Sequence, residues 1–152
     1  MLPRPTLSLK GRALRCLATR EHSRVELERK LKSFEEAPGE LVRVLDELQA
    51  KGFINEQRVV DSVVHRRAGR LGASRIRQEL QAKGLDAQAV QQAVAQLQGT
   101  ELDRAREVWR KKFGEPATDA ASRAKQMRFL ASRGFGAEAI RRVVSGADDA
   151  DD

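Results

Sequence analysis

The chain of 152 residues has one cysteine, one tryptophan, two histidines and no tyrosine. A lone thiol, Cys16, cannot close an intramolecular disulfide, and a cysteine-based zinc site needs a second thiolate. Only His22 and His65 titrate near neutrality, and neither stands in a nucleophile, base and orienter pattern. Both are read as structural or surface histidines, and Cys16, between Leu14 and Leu17, as a small buried hydrophobe. The nearest approach to a phosphate loop, Gly69-Arg70-Leu71-Gly72, lacks the Lys-Ser or Lys-Thr ending and follows a helix rather than a strand. No enzymatic activity, cofactor or metal is therefore expected. Apolar runs fall well short of the roughly 18 residues of a membrane span, and Met1 to Lys10 lacks the apolar stretch of a secretory signal. A soluble, cytoplasmic protein without membrane contact is expected.

What the chain has is positive charge. There are 29 basic and 22 acidic residues, a net +7. Asp148, Asp149, Asp151 and Asp152 crowd the last five positions, so the body alone sets 29 basic against 18 acidic residues, or +11. Such a body invites a polyanion, because neutralising phosphates releases their counterions.

Apolar residues recur every three or four positions: Leu27, Leu31, Phe34; Leu41, Leu45, Leu48; Val59, Val63; Val90, Val94, Leu97. The spacing predicts an all-α chain. Ser23 with Glu26 reads as a capping box and Thr100 with Asp103 as a weaker one, while Asn55, Asp86 and Thr118 precede periodic segments. Gly52, Gly84, Gly134 and Gly146 each follow a last apolar turn, where positive φ closes a helix without a Cβ clash. Nine helices are predicted, at about 8–20, 24–36, 39–51, 56–69, 73–83, 87–98, 101–113, 119–133 and 137–145. Ser-Arg pairs open the middle helix of each triplet, at Ser23-Arg24, Ser74-Arg75 and Ser122-Arg123, and Leu41, Val90 and Ile140 keep step in the third helices. The expected architecture is an elongated array of three tandem three-helix repeats, 9–52, 53–98 and 99–146, with an extension 1–8 and an acidic disordered tail 147–152.

Binding chemistry concentrates in Arg66, Arg67 and Arg70 with Arg75 and Arg77 just beyond, where guanidinium groups from two helices could meet at a glycine-containing junction. Lys83 extends this set. Arg110, Lys111 and Lys112 form a second patch, in which Trp109 and Phe113 read as core packing rather than base stacking. A third, Arg123, Lys125, Arg128 and Arg133 with Arg141 and Arg142, reads equally as a solvated face. Leu80, Gly84 and Val90 have helix-turn-helix spacing, which keeps a DNA-binding transcription factor as the alternative. The following helix, Asp86 to Gln92, offers no arginine to a guanine edge. A helical adaptor unrelated to DNA is a third reading, and it predicts binding nearly insensitive to salt.

The segments Ser23 to Leu31 and Gly72 to Gly84, followed by Arg133-Gly134-Phe135 and Ile140, resemble the RecX family of recombinase regulators in their order and spacing. The likeness runs from about Leu9 to Val144 and departs at Asn55 to Val59, where the family leads one to expect an aspartate and an aromatic. The resemblance implies a monomeric, non-enzymatic modulator that binds the RecA recombinase filament on single-stranded DNA. It would lie in the filament groove, suppress ATP hydrolysis, strand exchange and coprotease activity, and so modulate DNA repair and the SOS response.

Overall fold

The computed structural model describes residues 6–146; the expectation for the acidic tail, and the start of the amino-terminal extension, lie outside the described residues. Among these residues there are eight helices and no strand: α1 (Leu9–Thr19), α2 (Arg24–Leu31), α3 (Glu40–Ala50), α4 (Glu56–Arg67), α5 (Ala73–Ala82), α6 (Ala87–Lys112), α7 (Ala120–Ser132) and α8 (Ala137–Ser145). A 3₁₀ turn, Lys32–Phe34, tightens the end of α2.

The apolar stripes sort into three successive cores. Leu27, Leu31, Leu45 and Leu48 of α2 and α3 close on Leu9 and Ala13 of α1. Val59 and Val63 of α4, Ile76 and Leu80 of α5 and Val90 and Leu97 of α6 make the second. Ala105 from the far half of α6, Leu130 of α7 and Ile140, Val143 and Val144 of α8 make the third. Burial of each large aliphatic side chain contributes about 1.5–3 kcal/mol, and only a neighbouring helix can supply that cover.

Start and stop signals act as their chemistry requires. Ser23 caps α2 in a full capping box with Glu26, and the Asn55 side chain accepts from the Arg58 amide. Asp119, one residue beyond the predicted Thr118, caps α7 in a box with Ser122. Gly52, Gly84, Gly134 and Gly146 all adopt positive φ.

The expected nine helices are eight, because the predicted 87–98 and 101–113 are one continuous helix, α6, about 39 Å long. Gly99 costs about 1 kcal/mol inside a helix, and Thr100 does not cap one; its hydroxyl donates back to the Leu97 carbonyl at 3.2 Å. Tertiary contacts override the local break signal. The Glu101 carboxylate accepts from the Ala73 amide at 2.7 Å, capping α5, whose own N-cap, Gly72, has no side chain. One turn further, the Arg104 guanidinium reaches three backbone carbonyls, those of Ala68, Leu71 and Leu97. Continuing α6 makes both sets of bonds; ending it at Gly99 would forfeit them.

Successive cores are joined head to tail by one device used twice. The Ser23 hydroxyl, besides capping α2, donates to the Lys83 carbonyl at the end of α5 at 2.6 Å, and Arg29 donates to the Ala82 carbonyl at 2.8 Å. Fifty residues on, the Gly72 amide donates to the Arg133 carbonyl at the end of α7 at 2.8 Å, and Arg75 donates to the Ser132 carbonyl at 2.7 Å. Each joint closes over a left-handed glycine. A Cβ on Gly84 would stand 2.6 Å from Val25, and one on Gly134 would overlap Arg75.

Two outcomes are expected. Gly52→Ala, where φ is +82° with open space around it, costs only the left-handed penalty of about 1–2 kcal/mol. Gly134→Ala carries that penalty and a steric overlap worth about 1–3 kcal/mol more, so its urea midpoint falls further. Burial raises the pKa of Glu26, but hydrogen bonds from Arg20 and the Ser23 amide and the charge of Lys83 outweigh it and hold the carboxyl at about 2. Its folded pKa lies below the unfolded value, so its contribution is present above the ordinary carboxylate range and is lost as pH falls from about 4.5 towards 2. Glu26→Gln therefore flattens the stability profile in that window, measured by urea titration at pH 5, 4 and 3. Protein whose pH profile is unchanged by the substitution would contradict this linkage.

Candidate nucleic-acid interface

The predicted basic residues separate into those the fold consumes and those it leaves facing solvent. Arg67 pairs with Glu79 at 3.0 Å, and Arg66 lies 3.9 Å from the same carboxylate while its Nε donates to the Ser62 carbonyl. Arg75 is a joint residue, bound to the Ser132 carbonyl. Lys83 sits at the other joint with its ammonium 3.4 Å from Glu26. Arg110 pairs with Glu107 at 3.2 Å and lines a groove with Trp109 and Arg142. Arg77 lines a different groove, between α5 and α6, beside Gln81, Gln91 and Gln98. The sequence-level patch from Arg66 to Arg77 is therefore not one surface.

Arg70, Lys111 and Lys112 do come together. With Gly69, Val108, Phe129 and Arg133 they line a groove of about 330 Å³ where the α4–α5 turn, the end of α6 and the end of α7 meet. Among the described residues none of these four cations has a carboxylate partner. Lys112 and Arg133 instead lie over the Phe129 ring, at 5.4 and 5.0 Å from its centroid. Phe113 meets the same ring edge-on, centroids 5.5 Å apart.

The groove exists because the second joint holds its two walls together. Gly72 approaches Gly134 so closely that a Cβ on Gly72 would overlap the Gly134 carbonyl, which draws the Gly69-Arg70 turn against the cap residue Arg133. Arg104 fixes the turn from below, donating from Nη1 to the carbonyls on either side of it, Ala68 at 3.0 Å and Leu71 at 2.7 Å. Periodicity gave no sign of Arg104 as an anchor. Phe129 and Arg133 carry the one legible signal, aromatic and cation four residues apart on one helix.

The remaining candidates take ordinary structural places. His22 is buried; its Nδ1–H donates to the Arg20 carbonyl at 3.0 Å, its Nε2 accepts from Lys30 at 3.0 Å, and burial lowers its pKa. His65 is exposed, and Cys16 packs half-buried against the first core. Trp109 packs against the third core and donates to Gln126 at 2.9 Å. None of the described helices is long and apolar enough to cross a membrane.

Comparison with known proteins gives this geometry a lineage. Residues 55–94 match the model of the second three-helix domain of RecX, and residues 100–144 that of the third. The regulatory protein RecX of Leptothrix cholodnii is 57% identical over 145 residues, 95% of this chain and 92% of the relative. The chain belongs to the RecX family. The RecX of Ralstonia pickettii is 47% identical over 148 residues, 97% of this chain and 93% of that one. The crystal structure of RecX from Lactobacillus salivarius shares the fold, with a TM-score of 0.76 at 18% identity over 92% of this chain and 94% of that one. This RecX chain is thus an all-α member of a family of regulatory proteins, built of tandem three-helix domains.

The division of labour among the arginines has a measurable consequence. Arg104→Leu leaves several carbonyls without a donor and is expected to cost about 2–4 kcal/mol in denaturant unfolding. Arg70→Ala, on an exposed turn, is expected to stay within about 0.5 kcal/mol of the parent.

Proposed function

We propose that this chain binds the RecA recombinase filament assembled on single-stranded DNA and inhibits its ATPase, strand exchange and coprotease activities. It does so as a cytoplasmic monomer without catalysis of its own, restraining DNA repair and the SOS response. Membership of the RecX family supports the partner. The observation that carries the reading is the groove of Arg70, Lys111, Lys112 and Arg133, four cations without carboxylates where the fold pairs other basic residues internally. A linear array of helical units also suits a partner that repeats along an axis, because successive units can meet successive subunits. A cationic face speeds encounter with a filament that carries DNA.

The transcription-factor alternative rests on α5, Gly84 and the start of α6. From Ala87 to Thr100 the helix α6 carries no charged residue, which leaves it without the cations that position a reading helix on phosphates.

The test is the single-strand-dependent ATPase rate of a RecA recombinase titrated with this protein, with DNA in excess. Loss of hydrolysis below one copy per recombinase subunit is expected. Triple reversal, Arg70→Glu with Lys111→Glu and Lys112→Glu, is expected to raise the half-inhibitory concentration about tenfold or more, as losing several phosphate contacts does, while circular dichroism stays unchanged. Undiminished ATPase at several-fold excess of the wild-type chain would refute the proposal.

A further inference from the structure

Phe129 makes the groove a reader of backbone rather than of bases. An aromatic ring beside cations is the usual platform for an unstacked base, but here the ring already holds two side chains of its own chain, Lys112 and Arg133. A base stacking on it must first displace a cation, which forfeits about 0.5–1 kcal/mol at an exposed site. A phosphate adds to what is there. Its oxygens meet an ammonium and a guanidinium that the ring has already oriented, so less side-chain freedom is lost on binding. Arg133 is fixed further by its position as the α7 cap residue, whose carbonyl accepts the Gly72 amide at 2.8 Å.

We propose that the groove between the α4–α5 turn and the ends of α6 and α7 binds the phosphodiester backbone of a single strand, sequence-independently, and that Phe129 is its positioning residue. The ligand is a strand rather than a duplex because the cations line a concavity of about 330 Å³. A flexible backbone can enter such a space, whereas a rigid duplex cylinder presents its phosphates on a convex surface. Arg70 and Lys111 on the opposing walls are placed to take the neighbouring phosphate. The proposal deepens the functional reading given above, and its test is run without recombinase so that the two can fail separately.

The experiment is fluorescence anisotropy of end-labelled oligodeoxythymidine with the full chain alone, in parallel with an abasic oligomer of the same length, a mixed-sequence strand and a duplex. The two base-bearing strands and the abasic strand are expected to bind within about threefold of one another, and the duplex about tenfold or more weaker, with a log–log salt slope of about −0.7 per phosphate contacted. Lys112→Gln is expected to reduce that slope by about one contact. Phe129→Leu, which keeps every charge, is expected to weaken binding about three- to tenfold, the loss of a cation–π pair and its ordering. Circular dichroism identifies a Phe129 variant that fails to fold, in which case the Lys112→Gln slope and the abasic strand decide. Failure of the abasic strand to bind, equal affinity for duplex, an unchanged Lys112→Gln slope, a folded Phe129→Leu with wild-type affinity, or no binding of any strand would each overturn the proposal. ATPase inhibition by the same wild-type preparation reports separately on the regulatory reading.

Discussion

Everything else in this molecule depends on how the end of one middle helix is seated against the start of the preceding one. A helix C-terminus leaves carbonyls without partners, and burying them against a neighbour is costly unless donors arrive from outside. Here the neighbour supplies them: Ser23 and Arg29 to the end of α5, the Gly72 amide and Arg75 to the end of α7. The recipient must turn away at once and leave room, which only a left-handed glycine does, and Gly84 and Gly134 stand at that position fifty residues apart. Three small cores, each too thin to be well covered alone, are thereby tied into one array.

The same requirement explains why a strongly basic chain is not a uniformly cationic surface. Arginine carries five donors in a planar fork, and a helical array rich in exposed C-terminal carbonyls uses them internally. Arg29, Arg58, Arg75 and Arg104 all donate to backbone carbonyls. Charge counted along the sequence therefore overstates what faces a partner. The functional signal is the remainder, and it gathers at the second joint because the contact that seats α5 on α7 also brings the Gly69-Arg70 turn beside Arg133.

The fold was legible where a residue acts locally. Ser23 with Glu26, Asn55 and the glycines after Lys51, Lys83 and Arg133 state helix ends in their own chemistry, and the apolar period states the buried faces. Legibility stopped where a distant residue outvotes the local one. Gly99-Thr100 reads as a break, and nothing within a turn of it reveals that Glu101 is needed at Ala73 or Arg104 at the 68–71 turn. The site was half legible for the same reason. Lys111 and Lys112 stand out as adjacent charges, but whether Arg67 is free or held by Glu79, twelve residues away and on another helix, is a tertiary fact. Family resemblance supplied the order of the units and was silent on this sorting.

The joint also explains why the array stops. The position fifty residues before Gly84 is Phe34, which cannot take the left-handed turn without strain. Instead α2 tightens into the 3₁₀ turn Lys32–Phe34, whose shorter hydrogen bonds satisfy carbonyls from within. Arg12 then lies over the Phe34 ring at 3.8 Å, placing a side chain of the first helix where a preceding unit would seat. A further copy meeting this end would find no glycine to close over and would have to displace that cation. The device that propagates from the first core to the third thus ends at α2 through the residue standing in glycine's place, and the length of the array is set by that substitution rather than by any limit on stacking.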